Sequence, residues 1–209
     1  MVAQKQIHRA LKFARPVVAA HFDAHATRVI LTKMRVQYQI FSSDLPQLKS
    51  PFNHVTLKIA VDTLALYRAL RTNLALIPPF IDNWMEGQFD SWVARKVFAQ
   101  PTLHRLYRRW WFGNVNRADE ASGQRFELLP SDGDLFYGVN VTHCGIVRFF
   151  TRMGAPELAP LVCRGDFTIQ KYLPPGVTFA RSQVIAEGAP YCDFRYYITK
   201  DRGWFCSCI

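Results

Sequence analysis

A chain of 209 residues that is 49% hydrophobic, 14% aromatic and 20% charged can bury a sizeable core. That composition excludes disorder over most of its length and favours one domain, or one domain with an elaborated helical N-terminal part. No apolar run approaches the ~18–20 residues of a spanning helix, so no membrane partner is expected. The formal net charge is +10, yet the cations are spread thinly along the chain. Their densest cluster, His104-Arg105-Leu106-Tyr107-Arg108-Arg109-Trp110-Trp111, interleaves them with aromatics, a mixture that can stack bases. On a helix the same mixture is an apolar stripe beside a solvated basic face. Without a recognisable module, no nucleic-acid partner is expected.

The first hundred residues predict helices. A short basic segment covers residues 4–15, and Pro16 suits the first turn of a longer helix reaching about Ser42. The cations of the first 22 residues, with no acid among them before that, match either a transit peptide or a basic amphipathic helix, and the helix is preferred. Asp44, Pro46, Ser50 and Pro51 mark a loop. Asn53 is the expected N-cap of a third helix to about Asn73, in which Ile59, Leu66 and Leu70, with Ala60 and Tyr67, recur at helical spacing. Pro78 and Pro79 break the pattern, a fourth segment runs from about Phe80 to Gln100, and 102–112 predict one more short helix. Gly113 to Gln124 is polar and predicts a connection.

After Gln124 the period changes. Arg125–Leu129 and Leu135–Val141 alternate as strands around the turn Pro130-Ser131-Asp132-Gly133-Asp134. Residues 142–153 predict a helix stopped at Gly154, and Ala155 to about Tyr172 a second. Val177–Ala186 and Cys192–Thr199 predict a hairpin. The expected fold class is therefore α+β: N-terminal helices, then a β-β-α-α-β-β antiparallel sheet domain with helices on one face. The expected division is a helical extension over 1–50, the α+β domain over 51–200 and a tail over 201–209.

Five cysteines, Cys144, Cys163, Cys192, Cys206 and Cys208, form an odd set. With Lys5, Arg9, Lys12 and Arg15 followed by no long apolar stretch, the N-terminus carries no secretory signal pattern. Reduced thiols in a cytoplasmic protein are expected. The ending Cys206-Ser207-Cys208-Ile209 formally fits a prenylation box, but no polybasic stretch adjoins it, and a neutral tail is expected.

Four stretches carry a family resemblance: Asn140-Val141-Thr142-His143-Cys144, Met153-Gly154-Ala155-Pro156-Glu157-Leu158, Leu161-Val162-Cys163-Arg164-Gly165-Asp166, and Arg181 through Glu187-Gly188-Ala189 to Cys192-Asp193-Phe194-Arg195-Tyr196. Together they resemble the L-2-amino-thiazoline-4-carboxylic acid hydrolase family. His143 stands where that family more often has Arg. The resemblance implies a ring-opening hydrolase that adds water to a cyclic amidine-like carbon, giving N-carbamoyl-L-cysteine.

Such chemistry calls for a nucleophile, a proton-transfer group and a cation for the substrate carboxylate. Within the matching segments, Cys192, Cys163, Cys144 and Asp166 are the candidate catalytic residues. Arg195, Arg181, Asn140 and Asp193 are the candidates for binding a small anionic substrate. A cysteine is also a small hydrophobe suited to a core, so a structural role stands beside the reactive one for each thiol. Strand alternation sets Asp193 and Arg195 on one face and Cys192 and Phe194 on the other, whereas Cys163 and Asp166 share a helix face.

No metal site and no cofactor are expected. The three cysteines are 19 and 29 residues apart, which matches no paired-ligand spacing. His21 and His25, one helical turn apart, have no third ligand. The alternative function is a non-catalytic domain that binds a small anion in the same pocket. Oligomeric state is left open.

Overall fold

In a computed structural model, residues 2–42, 45–71 and 73–198 are described; the Cys206 and Cys208 tail lies outside them. Two helices open the chain, α1 (Val2–Ala19) and α2 (Ala24–Ser42). Pro16 sits inside α1 near its end instead of opening a longer helix. Lacking an N–H, Pro16 cannot donate to the carbonyl four residues earlier, so α1 forgoes that helical hydrogen bond there. The restart belongs to Asp23, whose Oδ1 accepts the Ala26 N–H at 2.7 Å. His21 therefore falls in the exposed turn before α2, on a different element from His25.

Helix α3 (Pro51–Ala69) is capped by Ser50, not Asn53: the Ser50 Oγ accepts the Asn53 N–H, and Pro51 fills the first turn, where its missing N–H costs nothing. Asn53 is buried and ties α3 to a distant loop, donating to Glu120 at 2.7 Å and accepting from the Gln124 N–H at 3.1 Å. Pro78 and Pro79 likewise lie in the first turn of α4 (Ile77–Phe89). The predicted fourth segment is split into α4 and α5 (Trp92–Ala99) at Asp90–Ser91. Helix α6 (Pro101–Ala118) runs through the first half of the stretch expected to be a connection, because Phe112 and Val115 anchor its last turns in the core. It ends at Asp119, in the left-handed region at φ 44°.

Four antiparallel strands follow in the order β1-β2-β4-β3: β1 (Arg125–Leu129), β2 (Leu135–His143), β3 (Val177–Ala180) and β4 (Cys192–Ile198). Between β2 and β3 come α7 (Gly145–Arg152), α8 (Leu158–Arg164) and a 3-10 helix, Gly165–Tyr172. The fold is α+β. β2 continues to His143, shortening the expected helix, and the second expected helix changes from α to 3-10 at Gly165. A Cβ at Gly165 would meet Ile81 Cγ2 of α4 at 2.5 Å, so glycine permits this close approach. The 3-10 helix is held on α4 by Thr168 donating to Asp82 at 2.8 Å and by the Lys171–Glu86 pair at 2.6 Å. β3 stops at Ala180 because the Asp193 carboxylate takes the Ser182 and Gln183 N–H groups away from any ladder. A second 3-10 helix, Ile185–Glu187, lies in that connection.

Both sheet edges are blunted by amide side chains. Asn116 of α6 pairs with the N–H and C=O of Phe126 on β1, at 2.8 and 2.6 Å. Gln170 pairs with the Phe179 N–H and the Val177 C=O on β3, at 2.6 and 3.2 Å. Each satisfies backbone groups an edge strand would otherwise present. The apolar interior has two parts. One joins α1–α4, α7 and α8; the other joins one sheet face to Phe112 and Val115 of α6. Ala186 packs against both, and Cys163 of α8 packs against the sheet part, so their seam runs beside α8 and the start of β4.

Candidate functional site

At that seam three cysteines arrive from three elements. Cys144 follows β2 and occupies the N-cap of α7, Cys163 lies in the last turn of α8, and Cys192 opens β4 opposite Val141. Gly145 makes the first possible: a Cβ there would strike the Ser122 carbonyl oxygen at 2.3 Å, so only glycine lets the strand turn into α7 against that loop. Cys144 and Cys192 are buried, and Cys163 is partly exposed. The sulfurs are close enough to act on one another's ionisation, and all three feel Asp166.

Burial pushes each thiol up. Cys144 rises to about 11, against the pull of the Val147 and Ile146 N–H groups at the start of α7. Cys163 is raised further, by burial first and then by the Asp166 carboxylate. Cys192 is raised by burial, opposed by the Ile185 N–H, which donates to its Sγ at 3.3 Å. At neutral pH the resting thiols are protonated.

Asp166, at the start of the 3-10 helix, is the ionised group among them. Burial raises it to about 6, and Arg181, then Arg108, pull it down. Its side chain is nonetheless 25% exposed, so it is hemmed in by protein while still touching solvent, as a group lining a cleft is. Arg181, 7% exposed, donates from Nη1 to Asp166 Oδ2 at 2.6 Å and to the Cys163 carbonyl at 2.8 Å. Its guanidinium lies 5.0 Å from the Phe167 ring centre and 5.8 Å from that of Phe194. Arg181 thus locks Asp166 to the end of α8.

Arg195, Asn140 and Asp193 turn to the other face of the sheet. Arg195 donates to Asn140 Oδ1 at 2.8 Å and to the Phe194 carbonyl at 3.0 Å; Asn140 in turn donates to Glu127 at 3.0 Å. The three side chains cross β1, β2 and β4 as one ladder. Asp193 does not pair with Arg195 but accepts from Ser182 Oγ at 2.6 Å and from two backbone N–H groups. Those bonds hold its carboxyl below the usual range against the opposing effect of burial.

Sequence reasoning missed a group beside this site. On α6, His104 is fully buried and Arg108 Nε donates to its Nε2 at 3.2 Å. The Tyr137 hydroxyl lies 3.4 Å from the same nitrogen, and Tyr137 stacks on Tyr196 with ring centres 4.1 Å apart. Burial pushes His104 down to about 3, with Arg108 adding to it, so the imidazole is neutral. His104, Arg108, Phe112 and Val115 recur at helical spacing; an arginine on an apolar stripe was the available signal.

Among the described residues, no group of three or more His, Cys, Asp or Glu gathers as a metal site, and no helix is long and apolar enough to cross a membrane. Residues 81–196, more than half of the chain, match the family model described as L-2-amino-thiazoline-4-carboxylic acid hydrolase. No curated protein and no solved structure matches the chain.

Proposed function

The chain belongs to the L-2-amino-thiazoline-4-carboxylic acid hydrolase family, and from that premise we propose that it opens the ring of a 2-amino-thiazoline-4-carboxylate to N-carbamoyl-cysteine. The observation that carries this reading is the meeting of Cys144, Cys163 and Cys192, from three elements, around an Asp166–Arg181 pair that keeps solvent contact. Packing alone gives no reason for three thiols to gather at a partly exposed carboxylate.

The product retains both nitrogens of the amidine, so the bond cleaved is C–S. The amidine is basic and arrives protonated, which makes its carbon electrophilic. Because burial keeps the thiols protonated, the nucleophile must lose its proton as it attacks. Cys163 is the partly exposed thiol and lies three residues before Asp166 on the same chain segment. Asp166, ionised above pH about 6, takes the Cys163 proton as Sγ bonds to the ring carbon. The ring C–S bond then breaks and its sulfur receives that proton from Asp166. Water adds to the resulting S-linked isothiouronium, giving one proton to Asp166; Cys163 leaves with that proton, and the protonated urea loses its extra proton to solvent as the product forms. Arg181 keeps Asp166 oriented throughout. Cys144 and Cys192 supply a soft, weakly polar wall for the ring sulfur.

The test follows free thiol released from L-2-amino-thiazoline-4-carboxylate. Replacing Cys163 by Ser is expected to cost about 10³-fold or more in kcat, and substrate should protect the native protein from alkylation. If the Ser variants of Cys144, Cys163 and Cys192 each keep near-normal turnover, the nucleophile is water activated by Asp166. If the wild-type protein releases no thiol, the reading fails.

A further inference from the structure

Four buried side-chain polar atoms among the described residues lack a hydrogen-bond partner: Thr63 Oγ1, Gln88 Nε2, His104 Nδ1 and Arg108 Nη2. Two of the four belong to one turn of α6, and one of those is on a cation. A buried guanidinium N–H left unpaired is costly, and folded proteins rarely keep one without a use for it. The Arg108 side chain is clamped, not loose. Its Nε is fixed by His104, and its guanidinium carbon lies 5.5 Å from the Phe98 ring centre and 5.9 Å from that of Phe112. Rotating away to find another partner would break these contacts.

The charge around it does not balance. Arg108 faces the hydroxyls of Tyr196, Tyr137 and Tyr107, which are neutral at pH 7, and the Asp166 carboxylate. Asp166, however, is already bonded directly by Arg181. His104 is neutral and adds no charge. Two guanidinium groups therefore share one carboxylate, leaving one positive charge over in a largely desolvated place. An anionic ligand would neutralise it and accept from Nη2 at once.

We propose that Arg108 is the receptor for the carboxylate of the substrate, its unpaired Nη2 donating to that carboxylate with the Tyr137 and Tyr196 hydroxyls beside it. This rests on the thiazoline-acid reading and deepens it. Asp166 lies within electrostatic reach of Arg108, so a ring whose carboxylate meets α6 presents its amidine carbon toward Asp166 and Cys163. Selectivity for the acid over the same ring without a carboxylate then comes from α6, an element outside the four stretches that carry the resemblance.

The experiment compares wild type with Arg108→Met and Arg108→Lys on two substrates, L-2-amino-thiazoline-4-carboxylate and 2-amino-thiazoline, which lacks the carboxylate. Arg108→Met is expected to raise KM for the acid about 100-fold and to lower the kcat/KM ratio of acid to carboxylate-free ring by a similar factor. Arg108→Lys should fall between, since it keeps the charge and loses the planar fork. Equal losses on both substrates, or an unchanged KM for the acid, would overturn the proposal. Calorimetry with thiazolidine-4-carboxylate, which has no amidine to hydrolyse, separates this proposal from the catalytic one. Binding to wild type that is lost in Arg108→Met supports the anion receptor even if no thiazoline is hydrolysed. No binding to wild type, or equal binding to both, refutes it.

Discussion

The two faces of the sheet carry similar residue types to opposite ends. On the outer face, Glu127, Asn140 and Arg195 satisfy one another across three strands, and Asp193 is fully occupied by Ser182 and Gln183. The polar side chains there have hydrogen-bond partners, and the Glu127–Asn140–Arg195 bonds link neighbouring strands. On the inner face, where Cys192, Tyr137 and Tyr196 point, an aspartate is held up near pH 6, three thiols stay protonated, and an arginine keeps an unpaired N–H. Polar groups that satisfy each other stabilise a fold. Polar groups left unbalanced beside solvent cost stability, and a site for chemistry is the usual reason a protein tolerates them.

The sharpest test of this contrast exchanges one aspartate on each side. Asp166→Asn should lower kcat about 10²–10⁴-fold, the range for loss of a general base, while Asp193→Asn should act mainly on stability. In the wild type, kcat/KM should fall about tenfold per pH unit below pH about 6, because protonated Asp166 cannot accept a proton. A rate flat from pH 7 to pH 5 would take the base role from Asp166.

Arg181→Lys comes next, expected at about 10–100-fold in kcat, since the shorter lysine withdraws its ammonium from the Nη1 position that donates to both Asp166 and the Cys163 carbonyl. Arg181 is the foremost group pulling the Asp166 titration down. If the substitution weakens that pull, the acid limb of the pH profile moves to higher pH. A limb that shifts the other way would show that the pair is not coupled as described.

The smallest effect belongs to the outer face. Arg195→Lys should cost about 1 kcal/mol in denaturant unfolding, by loosening the Glu127–Asn140–Arg195 ladder, and should leave KM within about twofold. A large rise in KM would join Arg195 to the substrate and erase the difference between the faces.

Much of this molecule was legible before folding because it rests on local rules. The Pro130-Ser131-Asp132-Gly133-Asp134 turn between alternating stretches marked β1 and β2, and strand alternation separated Cys192 from Asp193 and Arg195. Helix boundaries were less legible. Pro51, Pro78 and Pro79 read as breaks, although a proline in a first turn opens a helix as readily as it ends one. The polar stretch after Phe112 stays helical as far as Ala118 because Phe112 and Val115 find a sheet to pack on, which no window of sequence contains.

What the sequence determined by itself, then, was the order of elements, the family and the residue types its chemistry needs, since these depend on neighbours in the chain. Which of those residues meet was settled by tertiary structure. Asp166 and Arg181 are 15 residues apart and bonded; Arg195, also an arginine of the same motif, bonds Asn140 on the far face. The burial that raises Asp166 and leaves Arg108 Nη2 unpaired is a property of packed surroundings, because desolvation depends on every element that closes over a charge.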